Sequence, residues 1–258
     1  MSTDIQSFVK LAERLADAAR PEIMSRYRTG IAVDAKSDAS PVTEADRSAE
    51  RVMRALISET YPEHGILGEE YGSENVDAEY VWVLDPIDGT NSFVTGKPLF
   101  GTLIALCQNG VPIVGVIDAH AAGERWVGAP GHPTTHNGKP VSTRVCASLD
   151  QSWLYTTTPD MFEADNKSAF ERLSNAAWRT VYGGDCYAYG LLSSGFVDLV
   201  CEASLGTYDY CALVPVVEGA GGIMTDWSGA SLNLDSDGRV LAAGDKTLHE
   251  AALKNLVT

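Results

Sequence analysis

Two aspartates three residues apart, Asp85 and Asp88, close the apolar run Val81-Trp82-Val83-Leu84, with Pro86 and Ile87 between them and Gly89-Thr90 directly after. Three further places offer acids that backbone geometry can expose: Gly68-Glu69-Glu70 behind a short apolar stretch, Asp209 opening the helical run YDYCALVPVVEGAGG, and Asp46 in the first turn of a second helix. Carboxylates gathered round one pocket repel each other, and burial raises their pKa values, so such a cluster calls for a compensating charge. A divalent cation supplies it. Oxygen-only ligation, with no His or Cys nearby, selects Mg²⁺ or Mn²⁺ over zinc. Gly89 lets backbone approach a ligand closely, and a helix starting there would turn free N–H groups toward a phosphate. Metals on one side and amide donors on the other make a place for a phosphoryl group. Two or more cations about 3.5–4 Å apart can there activate water and stabilise the leaving oxygen.

Each acid also has a purely structural reading. Thr43-Glu-Ala-Asp46 has the spacing of a capping box, Glu69-Glu70 fits a solvated turn, and Asp209 fits an N-cap. The segment Asp85-Pro-Ile-Asp-Gly-Thr resists such a reading, because a turn explains one Asp and the Pro and Gly but not two acids at a strand end.

The elements that must hold these groups are legible from periodicity. Residues 4 to 27 carry Ile5, Phe8, Val9, Ala12, Leu15, Ala16 and Ala19 at helical spacing, with Pro21 as a kink. A second helix is expected from Thr43 to Thr60, with Val52, Met53, Leu56 and Ile57 inward and Pro62 as its stop. HGILGEE, EYVWVLD, TLIALCQ and VPIVGVID then read as strands of a largely antiparallel sheet, Asn109-Gly110 supplying a hairpin turn. Gly128 to Arg144, dense in Gly, Pro, Thr and Asn, reads as a boundary or crossover loop between an N-terminal half, 1–143, and a C-terminal half, 144–258. In the second half SWLYTTT, WRTVY, FVDLVCEA, GIMTDW and RVLAAGD read as strands, interleaved with helices near 159–173, 185–194, 209–220 and 246–255. That alternation predicts an α/β unit.

Composition narrows the partners. Of 258 residues 45% are hydrophobic, enough for a substantial core. With 35 acidic against 19 basic residues the formal net charge is −16, and no Lys/Arg-rich block occurs, which argues against nucleic acid and anionic membranes. No apolar stretch approaches the roughly 20 residues that cross a bilayer, and the N-terminus reads as an amphipathic helix, so a soluble cytoplasmic protein is expected. Five cysteines without a CxxC pair suggest neither disulfides nor a thiolate zinc site. His132 and His136 have the i, i+4 spacing of helical metal ligands, but Pro133 and the flanking glycines place them in a loop. Gly219-Ala-Gly-Gly222 lacks GxGxxG spacing and precedes a strand, which argues against a dinucleotide site.

GEE at 68–70, WVLDPIDGT at 82–90 and YDYCALVPVVEGAGG at 208–222 together resemble, in order and spacing, the signatures of the inositol monophosphatase superfamily of Mg²⁺-dependent, lithium-sensitive phosphatases, over residues 36 to 230. The resemblance implies a layered α/β/α/β/α sandwich, homodimeric, acting on a small phosphorylated metabolite. It implies that Glu69, Asp85 and the Ile87 carbonyl hold one Mg²⁺, that Asp85, Asp88 and Asp209 hold a second, and that a third, weaker one lies near Glu69. Glu70, Thr90 and Asp46 would orient and deprotonate water, and the Gly89 and Thr90 amides would contact the phosphate. The blocks FVTGKPLFGTLIAL and GGDCYAYGLLSSGFVDLVCEASL resemble the histidinol-phosphatase branch more than the inositol branch. There Asp185, Glu202 and Asp209 would bind substrate, two extra carboxylates suiting an amino- and imidazole-bearing leaving group. Asn91 departs from that branch, which often places a basic residue after DGT. The expected activity is hydrolysis of L-histidinol phosphate, with myo-inositol 1-phosphate as the alternative substrate; the reading from another class is a non-catalytic metal or phosphometabolite binder. As a structural alternative, Asp185 is a helix cap.

Overall fold

The first helix forms because Phe8, Leu11, Ala12, Leu15, Ala16, Ala19 and Ile23 recur at the helical period and all lie buried on one side. A computed structural model describes residues 5–30, 32–35 and 41–257; residue 4 of the first expected helix and residues 36–40 of the family resemblance lie outside the described residues. The N-terminal elements are α1 (Ile5–Met24), β1 (Val33–Ala35), β2 (Pro41–Thr43), α2 (Glu44–Thr60), β3 (Gly65–Gly68) and β4 (Gly72–Glu74). β5 (Tyr80–Asp88), α3 (Thr90–Thr95), β6 (Gly101–Gln108), β7 (Val111–Ala119), β8 (Glu124–Ala129), β9 (His132–His136) and β10 (Lys139–Pro140) follow. Next come β11 (Trp153–Thr156), α4 (Ala164–Ala176), β12 (Arg179–Tyr182), α5 (Asp185–Ser193) and β13 (Leu199–Glu202). The chain closes with α6 (Thr207–Tyr210), α7 (Leu213–Gly219), β14 (Ile223–Thr225), β15 (Val240–Ala243) and α8 (Lys246–Val257).

Eight strands form one sheet in the order β10-β9-β8-β7-β6-β5-β3-β4, antiparallel except where β3 runs parallel to β5. Five form a second, β12-β11-β13-β15-β14, in which β11 pairs parallel with β12 and β13. Strand alternation divides the interior. Trp82 and Leu84 of β5 pack with α1 and α2, while Val81 and Val83 face α5, α6 and α7. In the second sheet Val200, Val240 and Ala242 face that same helical layer, and Leu199, Cys201, Leu241 and Ala243 face α4 and α8. The stack is therefore α/β/α/β/α, as the resemblance implies, and the middle helices are buried between two sheets. All five cysteines are buried and free.

Several local expectations need correction. Gly128 to Arg144 is not an irregular loop: His132–His136 is a strand, turned by Asn137 (φ 48°) and Gly138 (φ 74°) into β10. Asn-Gly is the same hairpin signal that closes β6 onto β7 at Asn109-Gly110, and here the surrounding Pro and Gly obscured it. His132 and His136 consequently sit on one face of a strand, with His136 stacked on Trp126 at 4.6 Å. The inner face of α2 is Ala45, Ala49, Met53 and Ile57, rotated from the expected set so that Val52 and Leu56 are only partly buried. The expected helix at 209–220 is two helices, because Pro215 has no N–H to bond back to Cys211. The one at 159–173 is a single 3₁₀ turn, Pro159–Met161, followed by α4. Among the described residues no helix is long and apolar enough to cross a membrane.

Candidate active site

The acids converge at the end of β5. Asp85, Asp88 and Asp209 offer carboxylate oxygens that all lie within 4.8 Å of one another. Asp85 comes from the buried part of the strand, Asp88 from its tip, and Asp209 from the middle layer, three residues after Gly206. Asp209 does not open its helix as expected. It stands in the first turn of α6, where its Oδ2 accepts from the Gly206 N–H at 2.7 Å. Asp88 Oδ2 accepts from the Cys186 N–H in the first turn of α5, at 2.6 Å, so a helix from the second half grips an acid of the first. Asp85 is 1% exposed, and its Oδ1 has no hydrogen-bond partner.

Burial and mutual repulsion set the electrostatics. Asp85 is pushed well above the usual carboxylate range by burial and then by Glu69, Asp88 and Asp209. Asp88 is raised by burial and by Asp185 and Asp209. Asp209 is raised to about 7, burial again leading and Glu69 contributing. A buried acidic oxygen with no donor, among acids that all resist ionisation, fits a hard divalent cation, which an all-oxygen donor set suits better than a softer ion. The sign of the pH dependence follows. A carboxyl whose pKa is raised by folding holds its proton more tightly in the native state, so the stability it confers is present at low pH and lost as pH rises through the folded value. In EDTA the melting temperature should therefore fall between about pH 5 and about pH 8, across the value for Asp209. Saturating Mg²⁺ should flatten that fall; a melting temperature rising over the same interval in EDTA would contradict the assignment.

Around the trio the remaining expected residues take definite places. Glu69 lies near enough to raise Asp85, Asp46 and Asp209. Glu69 and Glu70 do stand in a turn, between β3 and β4, but half-buried in it and not fully solvated. Asp46, 1% exposed, completes the capping box: its Oδ2 accepts from Thr43 N at 2.8 Å and Thr43 Oγ1 at 2.6 Å. Thr90 Oγ1 donates to the Ile87 carbonyl at 3.0 Å. Gly89 caps α3 in the left-handed region, φ 79°, and a Cβ there would lie 3.1 Å from Asp185 Cγ. Asp185 is no side-chain cap: it is the first residue of α5, itself left-handed at φ 46°, and its Oδ2 accepts from Ser92 Oγ at 3.1 Å. Glu202 is 3% exposed, with Oε1 taking the Thr157 N–H at 2.8 Å and Oε2 the Tyr189 hydroxyl at 2.9 Å.

Glu50 was not anticipated. Fully buried on α2, it accepts from Glu70 N at 2.8 Å, Tyr71 N at 3.2 Å and Arg54 Nε at 2.7 Å. It thereby fixes the backbone that carries Glu69 and Glu70. Gly68 makes room for it, since a Cβ there would stand 1.9 Å from Glu50 Oε1. In the sequence, Glu50 and Arg54 show only the i, i+4 spacing of a surface ion pair.

Comparison with known proteins agrees with this geometry. The inositol monophosphatase family model matches residues 4–258. The bifunctional phosphatase IMPL2, chloroplastic, of Arabidopsis thaliana is 47% identical over 263 residues, covering 98% of this chain and 76% of that protein. A histidinol-phosphatase of Chlorobaculum parvum is 34% identical, covering 94% of this chain and 93% of its own. The solved structure of an inositol monophosphatase from Zymomonas mobilis is 47% identical, covers 99% of this chain and 100% of that one, and superposes with a TM-score of 0.91.

Proposed function

The chain belongs to the inositol monophosphatase family, and from that premise we propose that it is a Mg²⁺-dependent phosphomonoesterase whose preferred substrate is L-histidinol phosphate. Asp85, Asp88 and Asp209, with Glu69 and the Ile87 carbonyl, hold the cations in this reading. Bound Mg²⁺ supplies Lewis-acid polarisation of the phosphoryl oxygens and a water of lowered pKa. Gly89 and Thr90 amides receive the phosphate, Glu70, Thr90 and Asp46 orient the attacking water and take its proton, and Asp185 and Glu202 face the leaving group with negative charge.

The observation that carries the substrate choice is Asp185. Its carboxylate is held by Ser92, occupies the space a Cβ at Gly89 would need and raises Asp88, so it lies beside the proposed metal-binding trio. Its left-handed backbone is a strain that folds tolerate at working sites. An acid in that place pairs with an amino- or imidazole-bearing alcohol through opposite charge as well as hydrogen bonding, whereas a neutral polyol offers it hydroxyl donors alone. The histidinol-phosphatase at 34% identity supports the same choice. Asn91 and the likeness to the Zymomonas mobilis enzyme favour myo-inositol 1-phosphate instead.

Phosphate release from the two substrates, in Mg²⁺ and in EDTA, tests both levels. The expected result is release that EDTA abolishes and Mg²⁺ restores, with kcat/KM for L-histidinol phosphate higher by about tenfold or more, the worth of one ion pair of about 1.4 kcal/mol. Preference for the inositol ester would overturn the substrate assignment alone. No release from either would overturn the phosphatase reading.

A further inference from the structure

The pairing of β5 with β6 slips by one residue at the site. Asp85 lies opposite Leu103 and Asp88 opposite Gly101, so Pro86 and Ile87 together face the single residue Thr102. A bulge of this kind takes a carbonyl out of the ladder and re-aims the side chains on either side. Pro86 suits the place because it has no N–H to lose. Its carbonyl must still find a donor in a buried segment, at a point where the ladder is interrupted.

Thr102 provides it. Wholly buried, it donates its hydroxyl to the Pro86 carbonyl at 2.7 Å. A threonine hydroxyl has one proton, so the second 2.7 Å contact, between Thr102 Oγ1 and His120 Nε2, is one in which the imidazole donates. Burial lowers His120 to about 4, which leaves the ring neutral at pH 7 with its proton on Nε2. Nδ1 has no hydrogen-bond partner; it faces Asp118 Oδ2 at 3.4 Å, a carboxylate already held by Arg20 at 2.8 Å and Arg125 at 2.6 Å. A buried imidazole that leaves one nitrogen unsatisfied to commit the other calls for an explanation, and the bond to Thr102 gives one.

We infer that Thr102 and His120 are positioning residues for the site: His120 fixes the direction of the Thr102 hydroxyl, which locks the Pro86 peptide and so sets the spacing of Asp85 and Asp88. The inference rests on the reading of those two acids as metal ligands. Neither residue is among the proposed metal or substrate ligands, and a positioning role, unlike a merely structural one, must show in metal binding and not only in folding.

The test is Thr102→Val, which keeps the shape and removes the hydroxyl. The Mg²⁺ concentration at the midpoint of thermal stabilisation should rise roughly tenfold, the range seen when outer-shell partners are removed, and the Mg²⁺ midpoint for phosphate release should rise with it. Thr102→Ser, retaining the donor, should stay near the wild-type midpoint. His120→Phe should shift it in the same direction as Thr102→Val, and decides the matter if the valine variant does not fold. A lower melting temperature in EDTA with an unmoved Mg²⁺ midpoint would make Thr102 merely structural and overturn the inference. If the wild type is stabilised by Mg²⁺ but releases no phosphate, the proposed function fails while the midpoints still judge Thr102 and His120. If Mg²⁺ does not stabilise the wild type at all, both fail.

Discussion

Asp85→Asn is expected to lower kcat/KM for phosphate release on the order of 10³-fold, abolish stabilisation by Mg²⁺, and make the metal-free protein more stable by about 1 kcal/mol. The opposite signs come from one cause. Asp85 is almost wholly buried, its Oδ1 has no donor, and Glu69, Asp88 and Asp209 all press negative charge on it. Without a cation, each of the three aspartates is either ionised against its neighbours or protonated at a pH where an exposed carboxyl would be ionised. An amide of the same shape removes one of the like charges and brings an N–H₂ that can donate to Asp88, Asp209 or Glu69. With a cation the balance reverses, because the charge that made the empty site unfavourable is what binds the ion. Melting curves in EDTA and in Mg²⁺, set beside initial rates, read all three quantities. A variant less stable in EDTA that still responds to Mg²⁺ would show that Asp85 is held by its own packing and does not serve the metal.

Part of this was legible in the chain itself. Asp85 and Asp88 stand out because an apolar strand ends on two acids that no turn requires, and the Thr43 to Asp46 spacing announced its capping box. What the sequence could not show is how distant segments share one polar group. Cys186 N on Asp88, Glu50 on Glu70 N and Tyr71 N, and Thr102 on the Pro86 carbonyl are all bonds between residues 16 to 98 positions apart. None leaves a local pattern, since an i, i+4 Glu-Arg pair on a helix or a Thr within a strand is ordinary. The five layers were implied by the family resemblance, yet the strand at His132–His136 was missed because Pro and Gly outweighed the Asn-Gly turn beside it. Asp209 showed in the sequence only as an acid at the start of a helical run, where a cap is an equally good reading: it joins the trio only once α6 is laid against the end of β5.

Asp46 caps α2 in the structure and is a proposed base for the attacking water, and Asp46→Asn should pull the two roles apart. Its Oδ2 takes both the Thr43 N–H and the Thr43 hydroxyl, while that hydroxyl accepts from Ala45 N at 3.1 Å. An asparagine oxygen can take the same two donors, so the start of α2 stays closed and stability should change by less than about 1 kcal/mol. The amide nitrogen replaces a carboxylate oxygen in a site where burial raises the acid and Glu69 adds repulsion, which offsets any weakening of the cap. A proton acceptor is lost outright, since an amide cannot take a proton from water. If Asp46 orients and deprotonates the nucleophile, kcat/KM should fall by about 10²-fold or more, with the Mg²⁺ midpoint of stabilisation unmoved. That combination distinguishes it from Asp85→Asn, which removes the response to Mg²⁺ itself. Wild-type rates at wild-type stability would leave Asp46 as a cap, and the base would then have to be Glu70, whose backbone Glu50 holds in place through a bond of 2.8 Å.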